Sequence, residues 1–292
     1  MRVLIVGASG FIGRALRCVF GPSAVGTYCS HPAEGLRHLD VRDAAAVDHL
    51  LFEVRPDLII HPAAQPNVDW CEDHILESYA VNVSGTRNVV ASARVLGARY
   101  VFFSTDYIFN GSSGPYREDA APDPLNVYGR QKLEAERIIV DLLADFLILR
   151  VCGVYGFERQ GKNFVAGLLA RARRGEMMKV PADQWANPTY ADNLAIAVKE
   201  LALSTHRGVF HVAGPEHLSR ISFALLACGV FGLDASFVRP CSTAELGQRA
   251  ARPLRGGLET AKARSVLTTQ LVAPRQGLGL MEERLRAEGM RT

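Results

Sequence analysis

A short apolar strand that runs directly into three spaced glycines constrains this chain more than any other feature. The segment Val3-Leu-Ile-Val-Gly7-Ala-Ser-Gly10-Phe-Ile-Gly13 reads as a strand, a tight turn and a helix that begins near Phe11. Gly7 permits the turn, Gly10 lets backbone approach a pyrophosphate, and Gly13 lets the helix pack closely on the strand, while the helix N-terminus attracts phosphate charge. Ser9, Phe11 and Ile12 complete the expected contact set. The spacing is GxxGxxG rather than GxGxxG, so the letters alone say little. Their placement directly after the first buried strand is what points to a dinucleotide.

Further along, short β-branched and aromatic runs alternate with helical stretches, the pattern of parallel strands joined by crossover helices. The runs are Val3–Val6, Ala24–Tyr28, Leu36–Leu39, Leu58–His61, Tyr100–Ser104 and Phe146–Val151, and one helix is expected over Ile75–Leu96. Six strands with intervening helices predict an α/β fold with a doubly wound parallel sheet over residues 1–155. After Gly156 the rhythm becomes helix-rich, with isolated strand-like pieces at Met177–Val180 and Val209–Val212. A smaller α+β part is expected over 156–292, with a crossing back to the first part left open. No flexible linker separates the halves, so a cleft between them is expected, beyond the carboxyl ends of the strands where ligands of such sheets bind.

Composition narrows the classes. At 292 residues, with 48% hydrophobic and 22% charged residues and a net charge of +3, the chain is an ordinary globular one. It carries no basic cluster interleaved with aromatics, and nucleic acid is not expected as a partner. The apolar start is too short for a signal-peptide core or a membrane span, so a cytoplasmic location without a membrane partner is expected. The six cysteines are widely spaced and contain no CxxC pair, and the eight histidines show no ligand spacing, so neither a disulfide framework nor a metal site is expected.

The cofactor's identity turns on the second strand. An acidic residue at its end would pair with the ribose 2′-hydroxyl of NAD, but the strand ends Thr27-Tyr-Cys-Ser-His31. A 2′-phosphate meets no like charge there, and Ser30 can donate a hydrogen bond to it. NADPH is therefore favoured, with NADH left open and the alternative that Ser30 merely begins a solvated loop. Asp40, after the third strand, can accept from the adenine amino group.

Of the eight tyrosines only Tyr128 has a lysine four residues on, Lys132, in a segment helical by composition. That spacing puts phenol and ammonium on one face. A free tyrosine titrates near ~10, and a neighbouring ammonium is expected to favour the phenolate and bring the group towards its working range. The alternative is a surface pair on a solvated helix. The scarcity of lysine, and the strand ending in Ser104-Thr105-Asp106 just upstream, weigh against it. Thr105 can bind a carbonyl oxygen as it gains charge. Asp106 has two readings, a turn or helix cap and a substrate contact. Trp70 and Trp185 likewise read either as packing residues or as borders of the cleft.

The stretches Gly7-Ala-Ser-Gly-Phe-Ile-Gly13, Ser104-Thr-Asp-Tyr-Ile-Phe-Asn-Gly111, Pro124-Leu-Asn-Val-Tyr-Gly-Arg-Gln-Lys132 and Asp183-Gln-Trp-Ala-Asn-Pro-Thr189 resemble those of extended short-chain dehydrogenases/reductases. More narrowly, they are similar to the dTDP-4-dehydrorhamnose reductase family of sugar-nucleotide reductases. Val154-Tyr-Gly156, Gly208–Gly214 and Arg252-Pro253 extend the resemblance nearly end to end. It implies a Rossmann fold and a Thr105, Tyr128, Lys132 triad with Tyr128 as the acid. It implies also that Ala63, Ala64, Gln65 and Val151 line the cofactor, that Asn82 holds the active-site helix, and that Asp40 and Val41 meet adenine. For the sugar nucleotide it implies the second part, with Asn163, Gln184 and Arg252 as candidates. Gly153 stands where family members carry a tryptophan wall of the sugar pocket, Gln65 replaces a tyrosine, and Asn110 replaces an aspartate.

Three functions follow from the resemblance. The first is an NADP-dependent reductase of a nucleotide-linked 4-keto-6-deoxy sugar, with a homodimer as an option. The second is an epimerase or dehydratase that shares the triad but retains its cofactor through the cycle. The third is a nucleotide-binding regulatory subunit like that of methionine adenosyltransferase.

Overall fold

Alternation in the first strand sets the layering of the molecule. Successive side chains of a strand point to opposite faces; in β1 (Val3–Ile5) and the residue after it, Val3 and Ile5 enter one core while Leu4 and Val6 enter another. The computed structural model describes residues 1–158 and 161–289. From β1 the chain runs through α1 (Phe11–Phe20), β2 (Val25–Tyr28), β3 (Leu36–His38), α2 (Ala44–Val54), β4 (Leu58–His61), α3 (Val68–Asp73), α4 (Ile75–Tyr79), α5 (Gly85–Leu96), β5 (Arg99–Thr105), α6 (Val127–Leu142) and β6 (Phe146–Val151). It then forms β7 (Val154–Tyr155), α7 (Phe164–Arg174), β8 (Met178–Pro181), β9 (Trp185–Ala186), β10 (Thr189–Tyr190), α8 (Ala191–Leu203), β11 (Gly208–His211), β12 (Leu218–Ser219), α9 (Arg220–Val230), β13 (Val238–Cys241), α10 (Ala261–Val266) and α11 (Pro274–Ala287).

The central sheet has seven strands in the order β11-β6-β5-β4-β1-β2-β3, and every pairing in it is parallel. Helices α2, α5 and α6 close one face, where Leu51, Val89 and Ile139 bury against Leu4 and Ile59. On the other face α1 and α8 supply Leu16, Leu194 and Val198 against Ile5, Ile60 and Leu149. Each buried leucine or isoleucine contributes about 1.5–3 kcal/mol, which is what ties the crossovers to the sheet. The fold is α/β and doubly wound.

Two expectations are corrected. Val209–Val212 is not an isolated piece of the second part: Gly208–His211 pairs with β6 as the seventh strand, with Val209 opposite Ile148. The alternation of apolar residues identifies a strand but not the sheet edge that receives it, and here α8 packs beside α1 and returns the chain to the edge of the large sheet next to β6. Ile75–Leu96 is also not one helix. A π-helical turn at Ala80–Ser84 separates α4 from α5 and brings the Asn82 side chain inward, the kind of local widening that recurs at functional sites.

A separate core holds the later elements together, with Tyr155, Leu168, Val180, Phe223, Leu278 and Met281 at its centre. In it β8, read from sequence as Met177–Val180, pairs in parallel with β13. A fourth, smaller cluster of Ile108, Phe109, Leu133, Cys152 and Leu258 joins this unit to the ends of β5 and β6. Among the described residues no helix is long and apolar enough to cross a membrane.

Candidate active site

The glycine loop is built as its spacing predicts. Gly7 lies at φ +90°, and a Cβ there would stand 2.8 Å from the Ala63 side chain; at Gly13 a Cβ would stand 2.2 Å from the Gly7 carbonyl oxygen. The first contact lets the loop after β4 close on the turn, and the second lets α1 press onto the end of β1. Helix α1 has neither a side-chain cap at Gly10 nor an acidic residue in its first turn, so its leading N–H groups remain available to an anion. Beside the loop, Ser9 is buried and its carbonyl accepts from the Arg14 guanidinium at 2.9 Å. Phe11 lies beside Gly156, and Ile12 packs into the core beneath.

The loop after β4 faces this turn. The Asn82 side chain accepts from the Gln65 N–H at 2.8 Å and donates to the Gln65 carbonyl and to Gln131 of α6. Asn82 thereby fixes Ala63, Ala64 and Gln65 relative to the active-site helix. Val151, at the end of β6, is buried beneath the site. Val41 is buried against Gly85, and its carbonyl accepts from Asn88.

At the outer end of the loop the structure changes one expectation. Asp40 is not a free acceptor: its two carboxylate oxygens receive the Arg42 guanidinium, at 2.9 Å to Oδ1 and 2.5 Å to Oδ2, and that ion pair lowers its pKa. Sequence reading missed Arg42. Its side chain is half exposed and its charge interacts with Cys29, next to exposed Ser30. A hydroxyl and a guanidinium therefore stand where the second strand lacks a carboxylate.

The triad is assembled by β5 and α6. Asn126 caps α6, accepting from the Gly129 N–H at 2.8 Å and donating to the Ala251 carbonyl. A Cβ at Gly129 would stand 2.2 Å from the Tyr107 carbonyl oxygen, so this glycine lets α6 approach the end of β5. Tyr128 and Lys132 then occupy one face of the helix, and Thr105 is the last residue of the strand. The Tyr128 phenol is pushed up by burial and by nearby Asp106, and a hydrogen bond with Thr105 draws it the other way.

The expected phenolate is thus corrected. Lys132 does not bring Tyr128 down, because burial acts on both groups. Its ammonium sits 3.8 Å above the centre of the Phe102 ring, it has no hydrogen-bond partner among the described residues, and desolvation lowers it to about 7 despite the Glu136 charge nearby. Glu136 is itself held by Arg150 at 2.8 Å in a buried pair. In this state the phenol keeps its proton, as an acid must.

Beyond Thr105 lies a cavity of about 170 Å³ lined by Asp106, Tyr107, Gly153, Gln184, Trp185 and Arg220 among others. Asp106 does not cap the turn that follows it; Thr105 does, accepting from the Tyr107 N–H at 3.2 Å. The buried Asp106 carboxyl accepts from the Cys152 thiol at 3.0 Å, and burial raises its pKa. Gly153 is exposed to this cavity at φ +54°. An adjoining cavity of about 260 Å³ shares Tyr107, Phe164, Gln184 and Arg220 and adds Lys179, Gln248 and Arg252.

Three substrate candidates fare differently here. Gln184 borders both spaces and donates to Thr243 at 3.1 Å. Arg252 borders the second, but its guanidinium is engaged with Asp69 at 2.9 Å and the Ala250 carbonyl. Asn163 is brought to neither: it caps α7, accepting from the Ala166 N–H and donating to the Gly156 carbonyl. An arginine that borders both cavities, Arg220, was missed by sequence reading. It lies 4.4 Å from the centre of the Phe164 ring and has no ion pair among the described residues. A signal was present, since an arginine directly after the Ser219 cap opposes the helix dipole and calls for another partner.

The uncapped helix follows β1, Thr105 ends β5, and the first cavity takes Asp106, Cys152 and Gly153 from just past β5 and β6, so these features all lie beyond the carboxyl ends of the strands. A family profile described as the RmlD substrate binding domain matches residues 1–287. The chain belongs to this family. A dTDP-4-dehydrorhamnose reductase from Streptomyces griseus is 34% identical over 259 residues, 86% of this chain and 83% of that protein. The Xenopus tropicalis methionine adenosyltransferase 2 subunit beta is 30% identical over 288 residues, 95% of this chain and 86% of that one. Among solved structures, a dTDP-4-dehydrorhamnose reductase from Bacillus anthracis in complex with NADP superposes with a TM-score of 0.89 at 30% identity, covering 97% of this chain and 99% of that chain. The RmlD family assignment agrees with the resemblance read from the motifs.

Proposed function

We propose that this RmlD-family chain is an NADPH-dependent reductase of a nucleotide-linked 4-keto-6-deoxy sugar. The observation that carries the reading is the hydrogen bond between Thr105, at the end of β5, and protonated Tyr128, with Lys132 one turn along α6, an uncapped helix after β1 and, among the described residues, the unpaired Arg220 in the cavity that begins at Asp106. The first 155 residues hold the dinucleotide, and the part from 156 supplies most of the sugar-nucleotide contacts. The cradle fits the cofactor, because Gly7 and Gly13 have no room for a Cβ and α1 leaves its N–H groups open. Gly10, Ser9 and the first turn of α1 hold the pyrophosphate, Ser30 and Arg42 the 2′-phosphate, and Lys132 the nicotinamide ribose. NADPH supplies a hydride when bound.

The chain's own residues do the rest. Thr105 donates a hydrogen bond to the keto oxygen as charge develops there. Tyr128 transfers its proton to that oxygen, completing the hydroxyl and leaving a phenolate, and the Lys132 ammonium, near its neutral point, gives up a proton from Nζ towards that phenolate, so that both groups end neutral. Arg220, with Gln184, binds the diphosphate and base side of the substrate, a task suited to a planar cation and an amide.

Asp106 is the one carboxylate lining the two cavities among the described residues. A dehydratase needs an acid and a base at separate carbons, so this favours reduction. The relatives that are methionine adenosyltransferase subunits support a second reading, a regulatory nucleotide-binding subunit. One experiment separates them: NADPH oxidation measured across a panel of 4-keto sugar nucleotides. The reductase reading expects stoichiometric NADPH consumption with at least one member; no turnover, together with copurification of a synthetase, supports the regulatory reading instead.

A further inference from the structure

The cavity next to Thr105 has unequal walls. On one side Gly153 presents backbone only, at φ +54°. Another wall carries Trp185, which is 39% exposed although its backbone is pinned. Its N–H donates to the Leu254 carbonyl at 2.7 Å, and it pairs with Ser219 across β9 and β12. The indole leans on His217 with ring centres 5.6 Å apart, and the His217 Nε2 is tied to the Gly256 carbonyl at 2.9 Å. A large aromatic plane is therefore held in place with part of its surface unfilled. Tryptophan exposed on a fixed support, in a cavity rather than on a convex surface, has the form of a binding wall.

We propose that Trp185 is the sugar-facing wall of the site and the main determinant of which sugar nucleotide is accepted, its indole covering the C–H face of the hexose. This deepens the reductase reading and rests on it. The sugar is favoured over the base as occupant by position: Trp185 shares its cavity with Asp106 and Cys152, next to Thr105, and is absent from the lining of the neighbouring space that holds Lys179, Gln248 and Arg252. A preordered ring loses little conformational freedom on binding, so its contact area contributes directly to affinity. Gly153 belongs to the same lining and adds no side chain to it, so Trp185 is the large aromatic plane next to it.

The test uses the chain's two tryptophans. In Trp70→Phe the remaining indole is Trp185, and its emission is followed while NADP-loaded protein is titrated with dTDP-, UDP-, GDP- and CDP-linked hexoses and with the free diphosphates. We expect at least one sugar nucleotide to quench or shift the emission, and its diphosphate alone to leave it within about a tenth of that change. Trp185→Ala should weaken that sugar nucleotide ~10-fold and Trp185→Phe about threefold, with the free diphosphate changed less than about twofold. Unaltered NADPH affinity in both variants reports an intact fold. Sugar-nucleotide binding that neither moves the emission nor depends on residue 185 overturns this inference and leaves the reductase reading standing. Equal losses for sugar nucleotide and diphosphate also overturn it, by assigning the indole to the base. Failure of the whole panel to bind, with NADPH still bound, overturns both.

Discussion

The cofactor cradle and the substrate cavities sit at the same end of the sheet but are made of different material. The cradle is backbone: its shape depends on Gly7 and Gly13 having no side chain and on α1 having no cap. The cavities are side chains, delivered by segments as far apart as Asp106, Gln184 and Arg220. Backbone geometry admits little variation, because a single added carbon collides with a carbonyl. Side-chain walls can change one at a time without moving the backbone that carries them. A fold of this kind can therefore keep one redox partner while its substrate varies.

Three substitutions sharpen that contrast. Gly13→Val should have the largest effect: with even a Cβ only 2.2 Å from the Gly7 carbonyl oxygen, α1 must move, and NADPH affinity should fall by ~100-fold or more, read by calorimetry. If NADPH binding survives unchanged, the cradle is not what the glycines serve. Arg220→Ala should act on the other region alone. It should raise the KM for a sugar nucleotide ~10–50-fold, the scale of a lost charge-assisted hydrogen bond to a diphosphate, and leave the NADPH Kd alone. Equal losses for both ligands would erase the distinction.

The third substitution tests the boundary between the regions through pH. Burial holds Lys132 at about 7 against an ordinary 10.5. Between those values the unfolded chain keeps a proton that the folded chain has released, so this group makes stability rise with pH across that window. Below about pH 7 the folded state carries the full cost of a buried ammonium. Lys132→Met should therefore stabilise the cofactor-free protein at about pH 6 by ~1–3 kcal/mol, and the gain should shrink towards pH 10, as thermal melts will show. A gain that grows with pH contradicts the assignment.

What the sequence made legible follows the same division. The glycine turn and the Tyr128–Lys132 pair were readable because each is a local spacing with a geometric meaning, one turn or one helical repeat. The seventh strand was misplaced because Gly208–His211 looks the same whether it joins the large sheet or a small one; α8 decides. Asn163 is a substrate contact only by resemblance, and an asparagine ahead of a helical run is a ready cap, the role it plays. Asp40 reads as a free acceptor in the sequence because nothing in the spacing shows that the Arg42 side chain folds back onto it. The proton state of Tyr128 was out of reach, since it depends on how deeply α6 buries both members of the pair.

The central claim is that Tyr128 delivers a proton to a substrate carbonyl while the cradle works independently of it. The most direct measurement compares wild type with Tyr128→Phe for NADPH oxidation on a 4-keto sugar nucleotide that the wild type reduces, together with NADPH affinity. The account predicts a fall in kcat of at least ~100-fold with the NADPH Kd changed less than about twofold, because the ring remains and only the transferable proton is lost. Near-normal turnover by Tyr128→Phe would contradict it.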